Sequence, residues 1–186
     1  MLVNNAGTAS AGEVQDLTPA DWHAAIAVNL GGAVNGLLAV YPGMVERRAG
    51  WIVNVASLAG LVPVPLLVPY ATAKHGLVGL TTSLRIEAAR YGVKVCTACP
   101  GPVDTPFLDT EGTGVDARRY LTASVGPALA PDKFAAAVLA GMAANRAVIA
   151  PSRARAVWGV GRFSPRLAER ILAFNVRKEL RHGEAH

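Results

Sequence analysis

Apolar residues recur along this chain with two different spacings, and each spacing predicts a type of element. Short continuous apolar runs, typical of strands covered on both faces, lie at residues 1–5, 51–56, 93–99 and 147–150. Longer segments with apolar residues at helical spacing lie between them, at residues 19–48, 70–90 and 131–144. This alternation predicts an α/β fold with a doubly wound parallel sheet.

Turn and capping residues support the same division. Thr18 and Pro19 are typical of a helix start, and Gly92 occupies a position where glycine commonly follows a helix end. Residues 105–127 show no periodicity, which predicts a mobile flap with one helical turn around residues 116–121.

Composition excludes several classes of protein. The 186 residues are 52% hydrophobic and 17% charged, which indicates a globular chain with one core rather than a disordered one. Cys96 and Cys99 cannot staple a domain of this size, and on a strand they would point to opposite faces, so core packing is expected and no metal site is predicted. Neither a targeting segment nor a membrane span is predicted, and a cytoplasmic location is expected.

The positive charge is confined to the C-terminal part. Residues 1–150 hold ten Lys or Arg and ten Asp or Glu, whereas residues 151–186 hold eight and three, and this difference of five is the whole net charge of +5. We therefore predict a catalytic part at 1–150 and a basic amphipathic tail at 151–186. A helix is expected from Ser164 and Pro165 onward, with an apolar stripe formed by Ala168, Ile171, Leu172, Val176 and Leu180.

Three interpretations of this tail remain open. It could pack on its own subunit, contact a neighbouring subunit, or touch an anionic membrane surface weakly. Nucleic acid is not an expected partner, because basic residues interleaved with stacking side chains are sparse.

Three side chains are expected to meet at the carboxyl edge of the sheet, where such folds bind ligands. Ser57 ends a strand, and Tyr70 and Lys74 are four residues apart on one face of the next helix. A nearby ammonium favours the phenolate, so we expect Lys74 to lower the pKa of Tyr70 toward about 7 to 8. The pair would then donate and accept a proton.

These residues resemble the classical short-chain dehydrogenase/reductase family, and the match extends from Met1 to about Pro151. The matching motifs, in chain order, are Asn4-Asn5-Ala6-Gly7, the helix residue Asn29, Ser57, Tyr70-Ala-Thr-Ala-Lys74 and Pro100-Gly101-Pro-Val103-Asp-Thr105. The order and spacing of the motifs together are specific to the family.

The resemblance implies an oxidoreductase that uses NAD or NADP, with a role for each motif. Tyr70 would exchange a proton with the substrate oxygen, and Ser57 would bond the same oxygen. Lys74 would bind the nicotinamide ribose and lower the Tyr70 pKa, and Asn29 would hold a water that links Lys74 to solvent. Contacts to the adenine side of the cofactor are implied for Asn4, Asn5, Ala6 and Gly7, and contacts to the nicotinamide for Pro100, Gly101, Val103 and Thr105.

The chain departs from the family pattern at its start. No Gly-x-x-x-Gly-x-Gly turn is found, so we expect the C-terminal two thirds of the fold with the first three strands missing. In the family strand order 3-2-1-4-5-6-7, residues 1–5 would then form an edge strand, and dinucleotide binding would be weak. An alternative is a catalytically inactive family fragment that acts as a binding or oligomerisation module.

Substrate and assembly are also implied. A small apolar secondary alcohol or its ketone is expected, against an apolar wall made by Val62, Val64, Leu66, Leu67, Phe107 and Leu108. A homodimer or homotetramer is expected through the helices at 19–48 and 70–90, with Ala71, Ala73 and Gly76 allowing close helix approach.

Overall fold

Four parallel strands form one sheet in the computed structural model, which describes residues 1–109 and 115–183. The strands are β1 (Leu2–Asn4), β2 (Gly50–Val55), β3 (Val93–Ala98) and β4 (Val148–Ile149), in the spatial order β1-β2-β3-β4. Each strand pairs in parallel with the next in sequence. The predicted α/β class and parallel sheet are confirmed, and β1 lies at an edge of the sheet that these residues form, as expected.

Seven α-helices accompany the strands in the described residues. They are α1 (Pro19–Ile26), α2 (Gly32–Glu46), α3 (Val68–Ala89), α4 (Ala117–Val125), α5 (Pro131–Ala143), α6 (Ser152–Phe163) and α7 (Pro165–Gly183). A π-helical turn, Ala27–Gly31, joins α1 to α2, so the predicted helix at 19–48 is nearly continuous. Short 3₁₀ helices lie at Val14–Asp16, Leu58–Gly60 and Pro106–Asp109.

The less regular segments contain more helix than predicted, and residues 110–114 of the predicted flap lie outside the described residues. The single helical turn expected near 116–121 is instead the nine-residue helix α4, which begins where the Asp116 side chain accepts a hydrogen bond from Arg119 N at 2.8 Å. Helix α6 was not predicted, because two glycines and scattered arginines obscure its apolar spacing.

Helices cover both faces of the sheet, which makes the fold doubly wound. On one face, Met44 of α2 and Leu84 of α3 pack with Ile52 and Val95. On the other face, Val138 and Met142 of α5 pack with the second set of strand side chains, Val53, Cys96 and Ile149. Cys96 and Cys99 are buried and free, in accord with the predicted core packing.

The segment Pro19–Glu46 is long and apolar enough to cross a membrane by length and composition alone. The segment packs along the sheet through the buried Ala33 and Met44. Its length and composition therefore do not by themselves assign it to a membrane. Its start is fixed by a capping box between Thr18 and Asp21, and the hydrogen bonds from Thr18 and Ser10 lower the pKa of the Asp21 carboxyl.

A buried polar chain joins the edge strand to the interior. Asn4 Nδ2 donates to Asn54 Oδ1 at 2.7 Å, and Asn54 Nδ2 donates to Thr81 Oγ1 at 2.9 Å. Thr81 in turn donates to Leu77 O at 2.6 Å. Each buried amide or hydroxyl in this chain of hydrogen bonds has a partner, and the chain links β1 and β2 to α3.

The C-terminal helix packs on its own chain. Val176 and Leu180 contact the apolar cluster that contains Tyr70 and Tyr120. The Glu179 carboxylate is 4% exposed and accepts hydrogen bonds from Arg119 Nη2 at 2.6 Å and Asp116 N at 3.2 Å. Ile171, expected on this inner stripe, is instead exposed. Packing within the subunit is therefore observed, and the proposed boundary at residue 151 stays a prediction.

The small residues assigned to a helix interface between subunits are used inside the chain. Ala71 and Ala73 are buried, and a Cβ on Gly76 would lie 3.0 Å from Leu30 Cδ2. That assignment was wrong, because the face that carries these residues packs against the chain's own loops and helices.

We predict that Glu179→Ala lowers the free energy of unfolding by about 1 to 3 kcal/mol, because it removes a buried carboxylate that satisfies both Arg119 and the start of α4. Glu169→Ala, at an exposed position of α7, should change it by less than about 0.5 kcal/mol. Urea unfolding followed by circular dichroism measures both. Equal effects of the two changes would contradict the role assigned to Glu179.

Candidate active site

A cavity of about 520 Å³ opens at the carboxyl ends of β1, β2 and β3. Ser57, Tyr70 and Lys74 line it together, as the strand and helix positions predicted. Ser57 follows β2, while Tyr70 and Lys74 lie one turn apart in the first half of α3. The predicted convergence is therefore observed.

The Tyr70 side chain is buried and faces the same cavity as Ser57. Burial raises the pKa of Tyr70 to about 12, and the nearby Ser57 hydroxyl opposes this only in part. The expectation that Lys74 lowers this pKa was wrong for the protein alone. The Lys74 Nζ lies 5.5 Å from the centre of the tyrosine ring, and its charge does not outweigh the loss of solvent.

Lys74 is held by the end of the neighbouring strand. Its side chain is 3% exposed, and Nζ donates to Val55 O at 2.9 Å. Burial lowers the pKa of Lys74 to about 8. An ammonium has three donors, so this contact orients the group and leaves donors for a ligand in the cavity.

Asn29 fastens the loop after β1 to the π-helical turn. Its Nδ2 donates to Thr8 O and to Ala25 O, both at 2.8 Å, and its Oδ1 accepts from Thr8 N at 3.3 Å. The side chain is buried and its amide hydrogens are both used. The observed contacts give it a structural role, and the implied water near Lys74 stays a prediction.

The loop after β1 brings only part of its motif to the cavity. Asn5, Ala6 and Gly7 line it, and a Cβ on Gly7 would lie 3.0 Å from Asn29 Oδ1 and 3.6 Å from Lys74 Nζ. Asn4 points away from it, toward Asn54 and Ala33 O. The structure therefore separates Asn4, which orders the sheet, from the other three residues.

The segment after β3 forms the floor of the cavity. Pro100, Gly101, Val103 and Thr105 all line it. Pro100 O accepts from Leu58 N at 2.7 Å, which ties this segment to the residue after Ser57. All four predicted residues therefore face the cavity, and their contacts to a nicotinamide stay predictions.

The apolar wall was predicted only in part. Val64, Leu67, Phe107 and Leu108 line the cavity, and the Phe107 ring lies 5.5 Å from the Tyr70 ring. Val62 and Leu66 do not line it. Val62 packs toward α6, and Leu66 adopts a positive φ of 63° that turns it into the core.

Helices α4 and α5 complete the wall, and sequence reasoning missed their contribution. The added residues are Ala117, Leu121, Val125, Pro131 and Phe134. The spacing of Ala117, Leu121 and Val125, four residues apart after the capping Asp116, was the signal that could have found them.

Gly60 is a further residue that the sequence analysis missed. A Cβ at this position would lie 2.6 Å from Lys74 O and 2.9 Å from Val78 Cγ2. The 3₁₀ turn that follows Ser57 can therefore approach the Lys74 backbone only because residue 60 has no side chain.

The parallel sheet and the cavity at its carboxyl edge define a Rossmann-like protein. A family profile described as short chain dehydrogenase matches residues 1–115. The chain belongs to the short-chain dehydrogenase family.

The curated relatives are dehydrogenases that are longer than this chain. 2-(S)-Hydroxypropyl-CoM dehydrogenase 3 of Xanthobacter autotrophicus is 38% identical over 144 residues, which cover 74% of this chain and 56% of that protein. D-beta-hydroxybutyrate dehydrogenase of Rhizobium meliloti is 39% identical over 111 residues, which cover 60% and 43%. The chain thus spans about half the length of these relatives.

A solved structure supports the fold. A short-chain dehydrogenase from Sphingobium yanoikuyae in complex with NADPH has a TM-score of 0.70 and 22% identity, and covers 81% of this chain and 57% of that one. At this identity the likeness concerns the fold alone.

We predict that Gly60→Ala destabilises the protein by about 1 to 3 kcal/mol, because its Cβ would overlap the Lys74 backbone. Gly79→Ala is the matched control in α3. Nothing lies within 4 Å of its added Cβ, so it should stabilise by roughly 0.5 to 1 kcal/mol. Urea unfolding compares the two, and a neutral Gly60→Ala would contradict the close approach.

The lowered Lys74 pKa predicts a stability that depends on pH. Between pH 8 and 10.5 the unfolded chain binds more protons than the folded one, so stability should rise with pH in this window. Lys74→Met should remove that rise. The free energy of unfolding of the variant, relative to that of the parent, should therefore fall by about 2 kcal/mol from about pH 7 to about pH 9.5.

Urea unfolding at the two pH values measures this difference. Lys133→Met, at the exposed start of α5, controls for the loss of one positive charge. If the unfolding free energies of Lys74→Met and the parent differ by the same amount at both pH values, burial does not destabilise the charged form of Lys74.

Proposed function

We propose that this chain carries the catalytic part of an NAD(P)-dependent oxidoreductase that moves a hydride between a nicotinamide and a secondary alcohol or its ketone. The observation that carries the proposal is the apolar cavity that Ser57 and Tyr70 line together, with the buried Lys74 one helical turn from Tyr70. This arrangement provides a proton donor beside a surface that fits an uncharged organic substrate.

Each side chain has a defined task in carbonyl reduction. Tyr70 gives its hydroxyl proton to the substrate oxygen, and Ser57 donates a hydrogen bond to the same oxygen. The raised pKa supports the donor role, because Tyr70 keeps its proton at neutral pH. In alcohol oxidation the proton moves the other way, which requires a lower Tyr70 pKa than in the protein alone.

The residues present fit the nicotinamide end of a dinucleotide. Lys74 has donors left for a ribose hydroxyl, and the absence of a side chain at Gly7 keeps the space beside its Nζ clear, since an added Cβ would lie 3.6 Å from that atom. Asn5, Ala6, Pro100, Gly101, Val103 and Thr105 surround that space. The bound nicotinamide supplies the hydride, and the protein orients it.

The pyrophosphate end lacks its usual support in this sequence. No Gly-x-x-x-Gly-x-Gly turn occurs, so we expect NADH and NADPH to bind this chain with dissociation constants well above the low micromolar range. The choice between NAD and NADP stays open, since the residue that selects at the ribose 2′ position is not identifiable.

Small to medium apolar substrates fit the cavity best. Phe107, Leu108, Leu121 and Phe134 supply its wall, and Val64 closes one side. The substrate oxygen would point to Tyr70 while its apolar part contacts this wall.

A homodimer or homotetramer and a cytoplasmic location belong to the same proposal. Exposed apolar side chains on the outer helices, Ile26, Val28, Leu38 and Ile86, provide surface for a partner subunit. The two free cysteines are in keeping with a reducing compartment.

A second candidate is an inactive binding or oligomerisation module. One relative, at 39% identity over 122 residues, is named Inactive 2-(S)-hydroxypropyl-CoM dehydrogenase 2. The exposed edge of β1 also favours association with another chain. Calorimetric titration with NADH and NADPH, extended well above the low micromolar range, separates the candidates, because the catalytic part should bind weakly whereas a module would bind neither.

We predict that Tyr70→Phe lowers ketone-dependent oxidation of NADH or NADPH by about 10³-fold or more with the fold intact, because only the donor hydroxyl is removed. Tyr41→Phe, outside the cavity, should leave the rate unchanged. The loss of reduced nicotinamide absorbance with 4-phenyl-2-butanone is the measurement. Retention of a tenth of the rate by Tyr70→Phe would exclude its role.

A further inference from the structure

Helix α7 has a second apolar stripe, on the side that the chain leaves open. Its inner side is covered by α4 and by the cluster around Tyr120. The outer stripe starts at the end of α6 and continues along α7, with exposed fractions of 83%, 52%, 47% and 67% for Phe163, Leu167, Ile171 and Phe174. Residues 167, 171 and 174 follow helical spacing, so they form one continuous ridge.

Basic side chains flank this ridge. The exposed members on α7 are Arg166, Arg170, Arg177, Lys178 and Arg181. The acidic residues of α7 do not neutralise this side. Glu179 is buried against Arg119 on the inner face, and Glu169 follows Leu167 by two residues, which places it on roughly the opposite side of the helix.

We propose that this outer face of α7, the apolar ridge with its basic flank, docks on an anionic membrane surface. An amphipathic helix with Phe and Leu on one side and Arg beside them lies in the headgroup plane, where the apolar side chains enter the acyl boundary and the arginines meet lipid phosphates. Both features are needed. Removal of the apolar ridge from water favours binding, and so does the attraction between the arginines and the negatively charged surface.

A second copy of the chain is a poorer occupant of this face. A two-fold contact through the ridge would bring two sets of these five cations against each other. The rest of the molecule does not offset the charge, because residues 1–150 carry equal numbers of basic and acidic residues. The charge of the face therefore favours an anionic surface.

Co-sedimentation with lipid vesicles tests the proposal on the 186-residue chain. We expect binding to vesicles of phosphatidylcholine and phosphatidylglycerol in equal parts, at least tenfold weaker binding to phosphatidylcholine alone, and release at high salt. Failure to bind the anionic vesicles, or equal binding to both kinds, overturns the proposal.

Variants identify the surface that binds. Phe163→Ser with Phe174→Ser, and separately Arg166→Gln with Arg170→Gln and Arg177→Gln, should each weaken binding at least tenfold. Ile86→Ser with Leu139→Ser removes comparable exposed apolar surface from α3 and α5 and should not. Circular dichroism checks that each variant is folded.

Other outcomes count against the proposal. If the phenylalanine variant binds vesicles as the parent does, the contact is electrostatic only and the docking ridge is refuted. If the same variant converts an oligomer to a monomer in light scattering, the face joins two copies instead. If the control pair weakens binding equally, the surface lies elsewhere.

Discussion

Burial of two ionisable side chains one helical turn apart is the constraint on which the site depends. Lys74 at 3% exposure would be costly wherever its ammonium lacked a partner. Among the described residues, the hydrogen-bond acceptor of its ammonium is Val55 O, at the end of β2, so the position of this strand end determines where the lysine is held. Strand β2, helix α3 and the cavity therefore have to be placed together.

Small and polar residues around α3 make that placement possible. Gly60 lets the turn after Ser57 touch the Lys74 backbone, and Gly7 keeps the opposite loop close to Asn29 and Lys74 without filling the space between them. Asn29 then fixes that loop through Thr8. The positions of Tyr70 and Lys74 thus depend on residues that have no acid or base function of their own.

Helix α4 is fixed from two sides by consecutive arginines. Arg118 bonds Asp104 and Asp109, both at 2.7 Å, on the segment after β3. Arg119 bonds Glu179 of α7 on the other side. Because Ala117 and Leu121 of the same helix line the cavity, the C-terminal helix and the segment after β3 both determine where this wall of the cavity lies.

Local patterns predicted most of the fold and the main site residues. Continuous apolar runs marked the strands, and the spacing of Ser57, Tyr70 and Lys74 required only that a strand end and a helix start meet. The direction of the Tyr70 pKa could not be predicted from spacing. It depends on how much solvent the folded chain removes, and here burial is the largest cause of the raised pKa.

Contacts between segments that are distant in sequence could not be predicted from the sequence either. Asn4 belongs to the same short motif as Gly7, yet it bonds Asn54 fifty residues away while its neighbours line the cavity. Val62 and Leu66 have the hydrophobicity expected of wall residues, but the backbone of their loop turns them into the core. Hydrophobicity predicts that such side chains are buried, and only the packed structure decides on which side.

The two pKa directions together give the protonation states of Tyr70 and Lys74 in the protein alone. A tyrosine pKa near 12 keeps the proton on Tyr70, and a lysine pKa near 8 leaves Lys74 mostly charged at neutral pH. A protonated phenol beside an ammonium can donate to a carbonyl oxygen but cannot accept from an alcohol. For Tyr70 to lose its proton near neutral pH, a positive charge close to its oxygen would have to outweigh the cost of burial, because Coulomb attraction favours the phenolate and desolvation disfavours it.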